Sequence, residues 1–109
     1  MEDNTNGLLR ALLQLAGRAV FREEQLRQIV LAKGASQKQL RAYNLCDGSR
    51  GQAQIGSELR LDAGNFSRTV RRWQQAGVIF KLGEGREVKL LHLYELPEEN
   101  ARKKRNDNG

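Results

Sequence analysis

Between Gln52 and Phe80, the run QAQIGSELRLDAGNFSRTVRRWQQAGVIF sets Asn65, Ser67, Arg68, Arg71, Arg72 and Gln75 within eleven residues of one another. Guanidinium, amide and hydroxyl groups at helical spacing are the groups that hydrogen-bond phosphate oxygens and base edges. Catalytic chemistry finds far less. The single His92 lies in a strand pattern between Leu91 and Leu93 and reads as structural or surface, not as a base or ligand. One cysteine and one histidine cannot make a zinc site, so no metal and no cofactor is expected. Gly83-Glu84-Gly85 lacks the lysine of a phosphate loop and sits between two strand patterns instead of ahead of a helix. Serines and aspartates have no partnered base, so an enzyme is not expected.

The elements that must position the polar group follow from apolar spacing. Ile55, Leu59 and Leu61, then Phe66, Val70 and Trp73, recur every three to five residues with one break, as two helices sharing a buried seam would. Asp62 stands where the second helix should begin, able to cap the N–H of Gly64 or Asn65, and Gly77 supplies a left-handed stop. With Phe66, Val70 and Trp73 inward, Ala63, Gly64, Ser67, Arg68, Arg71, Arg72 and Gln75 fall on or near the outer face. That face carries no acid.

The pattern resembles the winged helix-turn-helix superfamily, in particular the MarR-like regulators and the DNA-binding domains of phage and plasmid replication proteins. Ile55 and Leu59, the run Asn65-Phe66-Ser67-Arg68-Thr69-Val70, and Gly77-Val78-Ile79 carry the resemblance, which covers residues 36 to 96. Trp73 stands where the family usually has leucine and Gly56 where alanine is common. Trp73 should therefore fill a larger slot or reach a neighbouring element, with its indole N–H on an acceptor. The resemblance implies a mainly α fold with a small β-hairpin (α+β), a winged helix-turn-helix with two added N-terminal helices. It also implies that the helix 63–76 enters the major groove of double-stranded DNA. Arg68 is then the leading candidate for specificity, Arg71 joins it, and Arg72, on the flank, is expected to contact phosphate or solvent.

Val78 to Leu82 and Arg86 to Leu96, around Gly83-Glu84-Gly85, read as a β-hairpin. In the family this is the wing, whose tip lies against the DNA backbone, so Lys81, Arg86 and Lys89 become candidate contacts. Glu84, Glu87 and Glu95 balance those three cations, which makes the wing formally neutral.

A formal net charge of +6 favours a polyanionic partner. Its distribution sharpens this: residues 60–76 carry four arginines against one aspartate, and residues 18–41 carry six basic groups against two glutamates. No apolar run approaches the ~18 residues of a membrane span, and the start MEDNTNG lacks a basic signal-peptide region. A cytoplasmic, nucleoid-associated protein with no membrane partner is expected. Lone Cys46 fits a reducing compartment and packs as a small hydrophobe.

Three further segments read as helices. Leu8 to Ala16 has too many leucines for a lone surface helix, Arg22 to Lys33 turns Leu26, Ile29 and Val30 inward, and Ser36 to Cys46 is capped by Ser36 and carries Leu40, Tyr43 and Leu45. Asp47-Gly48 is the expected connecting turn. Residues 1–35 thus form an N-terminal helical extension, 36–97 the DNA-binding domain and 98–109 a solvated, disordered tail that includes Arg102-Lys103-Lys104-Arg105. The polar C-terminal flank leaves the leucine-rich first helix as the dimerisation candidate; the alternative is that it folds back as a cap. The expectation is a sequence-specific transcriptional regulator, a homodimeric repressor on a palindromic site. The alternatives are a DNA-binding module of replication, mobile-element or defence machinery, and a winged helix used for protein contacts. The sequence names no small-molecule effector.

Overall fold

The computed structural model describes residues 2–32 and 37–98. The chain runs α1 (Glu2–Val20), α2 (Glu23–Leu31), α3 (Gln37–Leu45), α4 (Gln52–Glu58), α5 (Ala63–Gln75), β1 (Ile79–Leu82), one 3-10 turn (Gly85–Glu87) and β2 (Lys89–His92). It is mainly helical with one two-stranded antiparallel sheet, an α+β arrangement. No helix among the described residues is long and apolar enough to cross a membrane. The expected Ser36 cap, Lys33, Gly34 and the tail beyond Glu98 lie outside the described residues.

The core forms where α2, α3, α4, α5 and the hairpin converge on Trp73. Its ring meets Tyr43 edge-on at 5.3 Å and Phe66 at 6.2 Å, the T-shaped geometry that aromatic quadrupoles favour. The indole N–H donates to the Val30 carbonyl at 3.1 Å, so the tryptophan does reach a neighbouring element, the last turn of α2. The Tyr43 hydroxyl donates to the Val78 carbonyl (2.9 Å) and accepts the Leu93 N–H (3.1 Å), tying α3 to both ends of the hairpin. Cys46 is buried just past α3, its thiol on the Ala42 carbonyl at 3.3 Å, and burial pushes its pKa far above the ordinary thiol value. It is a packing residue without thiolate reactivity.

Three expectations about element extent need correction. First, α1 runs well past Leu8–Ala16 at both ends, because Gly7 and Gly17 are tolerated inside it. Gly17 is required by close approach: a Cβ there would lie 2.9 Å from Leu93 Cβ. Second, the second strand is only Lys89–His92; Arg86 sits in the 3-10 turn, and Leu93, Tyr94 and Leu96 leave the sheet while staying buried, with Glu95 exposed between them. Asn44 explains their path, since its side-chain amide takes both the N–H of Leu96 (2.8 Å) and its carbonyl (2.7 Å). Third, residues 46–50 are more than a turn. His92 N–H donates to Cys46 O (2.6 Å), Gly48 N–H to Leu90 O (2.8 Å) and Leu90 N–H to Arg50 O (2.9 Å), so β2 is bonded along both edges. That pairing covers an otherwise open strand edge.

The α1 helix meets the body with its less apolar side. Gly17 abuts Leu93, the Arg18 guanidinium stacks on Tyr94 at 4.4 Å, and Arg10 Nη2 lies 3.2 Å from where a Cβ on Gly48 would stand. On the other side Leu8, Leu12 and Leu15 are 65%, 61% and 71% exposed.

Candidate nucleic-acid interface

The α5 helix forms where the sequence pattern expects it, and its ends are held locally. The Asp62 carboxylate accepts the Asn65 N–H at 2.9 Å, placing an acid against the positive end of the helix dipole. At the other end Gly77 turns left-handed (φ 78°), which lets its N–H reach Gln74 O (3.1 Å) and the Val78 N–H reach Trp73 O (3.0 Å). Phe66, Val70 and Trp73 are buried, which fixes the rotation of the helix. Asn65, Arg68, Arg71 and Gln75 are exposed, while Ser67 and Arg72 are half-buried.

Two of these side chains are already engaged with each other. Arg68 donates to the Asn65 side-chain oxygen one turn before it, which holds the guanidinium over the first turn of α5. The Arg72 guanidinium instead reaches inward, toward the Ile29 and Val30 carbonyls at 3.4 Å each. Val30 O also accepts Trp73 and the Gln39 amide (2.9 Å), so three side chains converge on the C-terminal end of α2. A cation there complements the helix dipole. The expected outward flank position of Arg72 is thus partly spent on packing α5 against α2. The side chains of Arg71 and Gln75 make no hydrogen bond or ion pair with other described residues.

The hairpin gathers its three cations. Lys81, Arg86 and Lys89 line one cleft of about 450 Å³ between the hairpin and the start of α4, together with Gly51, Gln52 and Gln54. The periodicity of the hairpin did not point to the two glutamines as neighbours of these cations, because the approach of α4 to the hairpin is tertiary. Glu84 and Glu87 are exposed in the connecting turn. No group of histidine, cysteine and carboxylate side chains among the described residues could hold a metal ion.

His92 is buried, its ring tilted on Tyr43 at 5.6 Å, and its Nδ1 has no hydrogen-bond partner. Burial lowers its pKa, which the charges of Glu95 and Asp47 offset in part.

A scan against protein-family models finds none that matches, and searches of curated proteins and of solved structures return no similar chain.

Proposed function

We propose that this protein is a winged helix-turn-helix regulator that binds double-stranded DNA with α5 in the major groove. The observation that carries the reading is the outer face of α5: Asn65, Arg68, Arg71 and Gln75 stand exposed on a helix whose only flanking acid, Asp62, is consumed as a cap. An α-helix fits the ~12 Å major groove, and arginine supplies both phosphate contacts and bidentate recognition of guanine. In this assignment α4 and α5 are the helix pair and the hairpin is the wing, with Lys81, Arg86 and Lys89 along the backbone of the same duplex.

The reading includes a homodimer joined through α1. Leu8, Leu12 and Leu15 are spaced four and three residues apart, the stripe that two helices bury against each other. The α1 helix does lie against its own body through Gly17 and Arg18, but that contact leaves the leucine face uncovered. A two-fold dimer would place two α5 helices on half-sites about one helical turn, ~34 Å, apart or a multiple of it. Repression of transcription is the role such a dimer would serve.

Selection from random duplexes tests this directly. The expected result is enrichment of an inverted repeat bound with strong salt dependence. An asymmetric site would favour a module of replication, mobile-element or defence machinery, and no salt-sensitive binding would overturn the DNA reading.

A further inference from the structure

Two helices of this protein end in the same hydrogen-bonded turn, with different residues at the position that must turn left-handed. After α5 that residue is Gly77. After α4 it is Arg60, at φ 55°: its N–H reaches Ser57 O (3.2 Å) and the Leu61 N–H reaches Gly56 O (2.8 Å), the same pair of bonds that closes α5. Glycine adopts this conformation freely, whereas a side chain there strains the backbone. Ala32, the other described non-glycine residue at positive φ, offers only a methyl. Arg60 is exposed there, and its side chain makes no hydrogen bond or ion pair with another described residue. The acids two residues to either side are both taken, Glu58 by Arg50 at 3.0 Å and Asp62 by the Asn65 N–H.

We infer that Arg60 is a DNA-backbone contact, a phosphate clamp at the mouth of the groove that α5 enters; this rests on the DNA-binding reading above. Arg60 lines the groove between α4 and α5 with Gln52, Ser57 and Ala63, the first residue of α5. Arg68 lies back along the first turn of α5, its Nη1 3.9 Å from where a Cβ on Gly64 would stand. A helix of 10–12 Å diameter fills a ~12 Å groove, so the residues just before its inserted end lie level with the flanking phosphates. A guanidinium carried there on the turn can take a phosphate oxygen pair bidentately. The strain fits such a role, since conformations of this kind persist where function holds them.

The test measures binding of the full chain to a random-sequence duplex across a salt series, with thermal unfolding in parallel, for wild type, Arg60→Gly, Arg60→Gln and Arg60→Lys. Glycine removes both charge and strain, glutamine removes charge and keeps the strain, and lysine keeps both. The expected result is that Arg60→Gly and Arg60→Gln bind roughly five- to tenfold more weakly near ~0.1 M salt, with a salt slope smaller by about one. Arg60→Lys should keep the wild-type slope, and Arg60→Gly should melt no lower than wild type. Wild-type affinity and slope in both uncharged variants, with wild type itself binding the duplex, would overturn the role of Arg60 and leave the DNA reading standing. Absence of salt-sensitive binding by wild type would remove the reading and the clamp together.

Discussion

The two longest helices, α1 and α5, are inverted copies of one design. The α5 helix buries Phe66, Val70 and Trp73 and shows arginines to solvent; α1 sets Gly17, Arg10 and Arg18 toward the body and shows Leu8, Leu12 and Leu15 to solvent. Water is a good solvent for the first exposed face and a poor one for the second. Exposed arginines on a folded helix need a polyanion only for function, whereas exposed leucines in a row favour a second apolar surface whatever the function. The contrast therefore sets the two halves of the proposal apart: DNA as the partner proposed for α5, and a second α1 as the one proposed for α1.

The contrast can be broken first at the buried side of α5. Trp73→Ala should cost about 3–5 kcal/mol, since it removes a fully buried indole, leaves a cavity among Tyr43 and Phe66, and strips a donor from Val30 O. Chemical denaturation measures it, and a loss under ~1 kcal/mol would mean that the α5 seam is not the anchor it is taken for.

Next in size is the apolar face of α1. Replacing Leu8, Leu12 and Leu15 together by Gln should convert a dimer into a monomer in analytical ultracentrifugation. The unfolding midpoint extrapolated to low protein concentration should stay close to wild type, because those side chains touch little of their own subunit. A wild-type chain that sediments as a monomer at high concentration would refute the pairing of α1 with α1.

The smallest expected effect concerns His92, the last residue of β2. Tyr43, Cys46, Asp47, Arg10 and Glu95 surround it, and burial leaves its pKa below the ordinary 6.5. As pH falls, the unfolded chain takes up the proton before the folded one does. The stability tied to neutral His92 is therefore whole above about pH 6.5 and declines as pH drops below that value. His92→Phe should flatten this part of the stability curve; an unchanged acid slope would assign it to other groups.

Legibility in the sequence followed the range of the forces involved. The α5 seam, the Asp62 cap and the Gly77 stop are short-range features, set by residues within one or two turns, and the structure places them where the spacing does. The end of β2 was obscured because Leu90, Leu91, His92 and Leu93 are all buried without alternation, a consequence of packing on both faces. The pairing of residues 46–50 with β2 was invisible, since Cys46-Asp47-Gly48-Ser49 has little strand character and owes its place to tertiary contact. Arg27 misleads in the opposite way: it reads as a surface charge but is buried, donating to Pro97 O at 2.7 Å and to Glu23 at 3.2 Å. At the candidate interface, the exposure of Asn65, Arg68, Arg71 and Gln75 was legible from helical phase alone. The inward reach of Arg72 and the strained turn at Arg60 were not, because both depend on where α2 and α4 lie.

The central claim is that the outer face of α5 meets DNA, and the most direct measurement is duplex binding of the Arg68→Ala, Arg71→Ala double variant against salt. Both side chains are exposed, so the fold should be unaffected. The account predicts a salt slope smaller by about two and an affinity reduced by one to two orders of magnitude near ~0.1 M salt. Wild-type affinity with an unchanged slope, in a variant that still folds, would contradict it.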